Sequence, residues 1–287
     1  VGRRRPPRRR GGVTPPEGTA HRPPFPVGWF AVAALDEVPV GELIPLAAFG
    51  RDLAVGSAPG GRALVTDSVC PHLGADLAAG GRIDDGQVVC PLHEWCFSHA
   101  GSCVSSGAEP LTAAIRLRVW PTEVVGATVL AFNGRDGEVP AVGPPGLAST
   151  GGMDYRVERC EGHPEDVIVD LLLAAGVAGG TASGDRWSAN GSDGSTVIVH
   201  GPGTVEHRHP GGTTHVVYVT PVDGFAVQVR SASTAAVTVA ASDGPVSGAV
   251  GTLPGFRLWY RRFDSSSAPQ PRPVRSGRRN RRDAPAG

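Results

Sequence analysis

The stretch CPHLGADLAAGGRIDDGQVVCPLHEWCFSHAGSC, residues 70–103, decides how the rest of this chain is read. It contains two short clusters of metal-ligating residues, Cys70-Pro71-His72 and Cys90-Pro91-Leu92-His93, with seventeen residues between them. Each cluster offers one thiolate and one imidazole. A proline stiffens each loop after its cysteine, and Gly74 permits a tight turn that lets backbone N–H groups approach the first cluster. Two loops of this make-up can pinch one metal centre between them.

Two cysteine sulfurs on one iron and two histidine nitrogens on the other are the donor set of a Rieske [2Fe–2S] centre. The same four donors could also surround zinc. Structural zinc sites, however, usually pair Cys-x2–4-Cys with His-x3–5-His and not one cysteine with one histidine. The candidate ligands are therefore Cys70, His72, Cys90 and His93. One-electron transfer is the activity they imply, and a zinc-stapled binding protein is the alternative.

Upstream of this stretch, GWFAVAAL, GELIPLAAF, RDLAVGS and RALVTDS are short apolar runs separated by Gly, Pro and Asp, the pattern of antiparallel strands. Phe49-Gly50-Arg51-Asp52 and Pro59-Gly60-Gly61 are natural hairpin turns. Downstream, IRLRVW and ATVLAF would close a small β-domain over residues 25–133. The Gly- and Pro-rich residues 134–152 read as a linker. A second domain over 153–264 opens with the strand MDYRVERC and then a helix in HPEDVIVDLLLAAG. Pro164 in its first turn and Glu165 and Asp166 near the positive end of the macrodipole suit a helix start, and Gly176 ends it. The strand-like runs DRWSAN, STVIVH, GTVEHRH, TTHVVYVT, FAVQVRS and AAVTVAA follow, and RLWYRRF is a last strand or helix. The fold class is mainly β with an α+β second half, one helix on a curved antiparallel sheet.

The 287 residues carry equal numbers of basic and acidic side chains, but not evenly. Residues 1–12 hold six arginines and no acid, and residues 271–287 hold six arginines and one aspartate. What remains has 15 arginines against 26 acids, so the middle of the chain is acidic. The tails, 1–24 and 265–287, lack apolar residues to offset the entropy of ordering and read as disordered. Without interleaved aromatics, their arginines do not argue for nucleic-acid binding. No run approaches the roughly 20 apolar residues of a membrane helix, and VGWFAVAAL is too short for an export signal. The expected location is therefore the cytoplasm, and five cysteines in a chain this size suggest no disulfide framework.

The stretch CPHLGADLAAGGRIDDGQVVCPLHEWCFSHAGSC also resembles the Rieske domain of non-haem iron oxygenases. FPVGWFAVA, GRDLAV and LTAAIRLRVW extend the resemblance over residues 25–133. It is most similar to the oxygenase components of ketosteroid 9α-hydroxylases and to cholesterol desaturases, which read C-x-H-x-G-x-x-L and then C-P-F-H-x-W. The resemblance implies that Cys70, His72, Cys90 and His93 are the cluster ligands and that Trp95 packs beneath the cluster. Ala75 and Leu92 stand where cytochrome-complex relatives have a disulfide. Glu94 stands where glycine is usual, and Cys96 where arginine is common. Further implications are a ferredoxin or flavin-dependent reductase as electron donor, a ring-shaped trimer, and a hydrophobic steroid-like or aromatic substrate.

The same resemblance implies a helix-grip second domain, here shortened, holding mononuclear non-haem Fe(II) by two histidines and a carboxylate. Laying His163-Pro164 on the family's helix puts Leu173, Gly176 and Thr181 at the ligand-bearing positions, and none can bind iron. No catalytic residue is therefore assigned in this half. Two readings follow: a non-oxygenating, electron-transfer relative, or an active monooxygenase or desaturase. Independently of any resemblance, His207 and His209 would share a strand face, with His215 after the following turn and Glu206 or Asp223 nearby, a candidate second metal site.

Overall fold

The computed structural model describes residues 24–106, 115–147, 156–233 and 253–263. The first half contains β1 (Gly28–Ala34), β2 (Leu43–Ala48), β3 (Arg51–Ala58), β4 (Arg62–Asp67), β5 (Arg82–Asp84) and β6 (Gln87–Val89). It continues with β7 (Cys96–Phe97), β8 (Cys103–Ser105), β9 (Val119–Trp120), β10 (Thr122–Val125) and β11 (Thr128–Asn133). These strands form three antiparallel sheets, ordered β1-β11-β10, β2-β3-β4-β9 and β5-β6-β7-β8. The third, built of strands only two or three residues long, carries the cysteine–histidine stretch.

Turn chemistry sets the register. Ala48 pairs with Arg51, so β2 and β3 are joined by the two residues Phe49 and Gly50, both at positive φ, the two-residue hairpin that suits twisted strands. Phe49 is an unusual residue at that geometry. Its ring stacks on Trp120 with centroids 5.3 Å apart, and its N–H donates to Pro221 O in the other half of the chain.

The second half contains β12 (Arg156–Glu161), α1 (Pro164–Ala174), β13 (Thr181–Ser183), β14 (Arg186–Asn190) and β15 (Thr196–His200). β16 (Thr204–Arg208), β17 (Thr214–Asp223), β18 (Ala226–Ser233) and α2 (Pro254–Tyr260) complete it. Its seven strands run β12-β18-β17-β16-β15-β14-β13, all antiparallel neighbours. α1 begins as expected, with His163 Nδ1 accepting from the Glu165 N–H at 3.2 Å. It ends at Gly176, φ +70°, where Gly176 N and Val177 N donate to Leu173 O and Leu172 O, closing the helix as a Schellman turn. RLWYRRF folds as α2 and a short 3-10 turn, and β9, β10 and β13 were not separated by the apolar pattern. AAVTVAA and the tails lie outside the described residues.

One face of the large sheet is covered by the helices: Ile168 and Leu172 of α1 and Phe256 and Trp259 of α2 pack with Trp187, Val197, Val199, Val205 and Val219. The other face meets the first half, where Val216, Tyr218 and Ala232 pack on Trp29, Ala31 and Leu130. Hydrogen bonds cross the same boundary, from Thr220 Oγ1 to Ala31 O at 2.6 Å and from buried Arg230 to Glu37 at 2.8 Å. β1 is therefore buried on both faces, which explains why GWFAVAA is one continuous apolar run. The expected linker also packs: Val142 O accepts from Trp29 Nε1 at 2.8 Å and Leu147 is buried.

Candidate metal centre

Two loops of the small sheet have one backbone design. In the first, Cys70 N donates to Ala75 O and Gly74 N donates back to Cys70 O, at 2.8 and 2.9 Å. In the second, Cys90 N donates to Trp95 O and Glu94 N to Cys90 O, at 2.9 and 3.1 Å. The fifth residue of each loop is left-handed, Gly74 at φ +80° and Glu94 at φ +55°. Matching knuckles thus face each other, differing only in that histidine is third in one and fourth in the other.

The knuckles bring like donors together. Cys70 and Cys90 are both 2% exposed, and their sulfurs lie within hydrogen-bonding reach. The imidazoles of His72 and His93 have centroids 5.1 Å apart and lie nearer the surface, half-buried and exposed respectively. Trp95 is buried and stacks on His72 at 4.0 Å and 10°. Burial pushes the Cys70 thiol up to about 11, with the neighbouring Cys90 adding to it, against the backbone N–H groups of His72 and Leu73 that point at the sulfur. A bound cation would displace that proton outright. Two buried sulfurs beside two outward imidazoles match the asymmetric donor set of a Rieske cluster, one iron all-sulfur and one with two nitrogens. The residues fit the group.

Glu94 occupies a backbone geometry that costs a non-glycine residue about 1 kcal/mol or more. Its side chain returns little, a 3.6 Å ion pair with Arg82 between exposed groups. Glu94→Gly is expected to raise stability by about 1 kcal/mol, read as a higher thermal midpoint with unchanged cluster absorbance. A lower midpoint would mean that the carboxylate contributes more than its backbone costs.

The histidines of the second half also converge. His207 and His215 are cross-strand partners, with ring centroids 4.1 Å from His207 to His209 and 5.0 Å from His209 to His215. The sequence reading missed Asp193, whose Oδ2 lies 3.5 Å from His209 Nδ1. Burial and the neighbouring rings push His207 and His215 down, while Ser195 holds Asp193 at about 2. Neither acid named from the sequence joins them. Glu206 points away into a buried pair with His200 at 2.9 Å and Arg208 at 2.8 Å, and Asp223 pairs with Arg159. Of the positions expected to hold iron by the helix, Leu173 is in α1, Gly176 caps it and Thr181 starts β13. No imidazole or carboxylate occupies any of them.

Mixed cysteine–histidine knuckles on a small antiparallel sheet define a Rieske iron–sulfur protein, and residues 28–121 match the Rieske [2Fe-2S] domain family. The cholesterol 7-desaturase nvd of Bombyx mori is 34% identical over 154 residues, covering 52% of this chain and 34% of that protein. A probable 3-ketosteroid-9-alpha-monooxygenase oxygenase component of Rhodococcus rhodochrous is 28% identical over 170 residues, 55% of this chain and 40% of that one. The chain thus spans well under half the length of these relatives. Among solved structures, dicamba monooxygenase aligns with a TM-score of 0.58 at 16% identity, over 72% of this chain and 75% of its own. A carbazole-bound oxygenase in the ferredoxin complex of carbazole 1,9a-dioxygenase aligns at 0.52 and 14%, over 73% and 71%. Residues 28–121 therefore carry a Rieske [2Fe-2S] domain, and the chain is similar in sequence and fold to members of the Rieske non-haem iron oxygenase family.

Proposed function

We propose that this chain is an electron-transfer member of the family, with a [2Fe–2S] cluster held by Cys70, His72, Cys90 and His93. The observation that carries the reading is the facing pair of knuckles, which sets two thiols together in the core and two imidazoles together toward the surface. Bound there, the cluster supplies one-electron transfer, at a potential raised because neutral imidazoles replace two thiolates. Trp95 fixes the plane of His72 by stacking on it. Exposed Leu73 and Leu92 flank the imidazoles and give a redox partner an apolar rim to meet. Ferredoxin or a flavin-dependent reductase is the proposed donor; the carbazole oxygenase's ferredoxin complex supports the first.

In this reading the second domain, over 153–264 beyond the 134–152 linker, is a binding or assembly module, within a ring of family type. Its α1 supplies no iron ligand, so no oxygen chemistry is assigned to it. No disulfide joins any of the five cysteines, in keeping with a cytoplasmic setting. A second reading, a monooxygenase or desaturase on a hydrophobic steroid-like substrate, is favoured by the names of the sequence relatives.

Metal and sulfide analysis of anaerobically purified protein separates the two. Two irons and two sulfides per chain, a Rieske EPR signal on reduction and no further iron are the expected results. A reproducible third iron whose spectrum responds to nitric oxide would instead select the oxygenase reading. Colourless, zinc-containing protein would overturn both.

A further inference from the structure

We propose that Asp193, His207 and His209 form a binding site for a divalent first-row transition-metal ion, built from two hairpin turns at one end of the seven-stranded sheet. One potential ligand atom from each residue lies within 4.8 Å of the others. Ligands at about 2.1 Å in a tetrahedral site stand roughly 3.4 Å apart, and the Asp193 Oδ2 to His209 Nδ1 separation is already 3.5 Å. Closing the set therefore asks for side-chain rotation and no movement of the sheet.

The topology creates the site. Antiparallel neighbours β14, β15, β16 and β17 put the β14–β15 turn and the β16–β17 turn at the same end. Gly194 of the first turn lies against Pro210 of the second, its Cβ position 3.8 Å from the proline ring. His207 and His209, two residues apart, project to one face, the face that Val197 and Val205 turn toward the helices. Thr196 pairs with Arg208, which brings the segment before β15, including Asp193, alongside His209.

Ser195 holds the arrangement. Fully buried, it donates its N–H to Asp193 Oδ1 at 2.9 Å and lies 2.6 Å through Oγ from His207 Nε2. A hydrogen bond to one ring nitrogen fixes the ring and the tautomer, the usual support of a metal-bound histidine.

The donors are nitrogen and carboxylate oxygen. That set suits Zn²⁺, Co²⁺ or Ni²⁺, and not Ca²⁺ or Mg²⁺, which take oxygen ligands, nor Cu⁺, which takes sulfur. The site lies on the sheet and uses no residue of α1. It is independent of the cluster reading, because none of its residues belongs to the knuckles.

The test is zinc binding by the 287-residue chain carrying its full complement of cluster iron, measured by equilibrium dialysis and by thermal midpoint. Wild type is expected to retain one zinc per chain with unchanged cluster absorbance and to melt higher with zinc. His207→Ala and His209→Ala are each expected to weaken binding at least tenfold and to lose the zinc-dependent rise. Should either fail to fold, Asp193→Asn on its exposed turn provides the same comparison. No retained zinc in wild type, or equal affinity in all variants, overturns the proposal. If cluster absorbance falls as zinc enters, the metal is occupying the knuckles, and the proposal also fails.

Discussion

With His93 a ligand as proposed, replacing it by cysteine is expected to lower the reduction potential of the cluster by on the order of 100 mV, about half the gap between the bottom of the Rieske range and plant-type all-cysteine clusters, which differ by two such replacements. The argument rests on charge. A thiolate in place of a neutral imidazole adds one negative charge beside the iron, and the reduced state, already the more negative, is disfavoured further. His93 is the better of the two histidines for this test. It is exposed, so a shorter side chain leaves no internal cavity, whereas His72 is half-buried under Trp95. The measurement is a potentiometric titration followed by EPR. An intact cluster at unchanged potential would remove His93 from the ligand set.

Trp187→Ala is expected to cost about 3–5 kcal/mol of stability, the range for removing a large buried aromatic. Trp187, the second residue of β14, is 1% exposed and meets Phe256 of α2 edge-on at 5.2 Å. Gly180 lies so close that a Cβ there would stand 2.4 Å from the indole, so the backbone has already closed around this ring. Little further collapse is open to it, and the cavity penalty should be near its full value. The thermal midpoint should fall by on the order of 10 °C, with the cluster signal preserved below the transition. A loss under about 1 kcal/mol would show that α2 does not depend on this contact.

The cysteine–histidine pairs were legible because their ligand chemistry is written in short spacings that do not depend on tertiary structure. α1 was legible for a similar reason, since Pro164, the acids beside it and Gly176 mark its ends locally. The three histidines of the second half could be placed from strand alternation and one turn. Asp193 could not: its neighbour is set by two hairpins folding to the same end of a sheet, and the intervening sequence carries no sign of that register. Nor did the sheet β5-β6-β7-β8 stand out, because strands of two or three residues have too little alternation to read. Glu206 illustrates the opposite error. Adjacency in sequence suggested it as a ligand, while the pleat turns it to the other face, where His200 and Arg208 hold it to about 2 in spite of its burial.

β1 leaves one consequence for how such a chain can change over time. All seven of its residues are buried, some toward the core shared with Phe49 and Trp120 and others toward Val216 and Tyr218 of the large sheet. No position along it faces water, so none is free to drift without being felt by one core or the other. A volume change at Phe30 is felt in the core of the first half and at Gly203 in the β15–β16 turn, while one at Ala31 is felt where the halves meet. The loops of the two halves can therefore diverge separately across generations, but the halves must inherit this strand together.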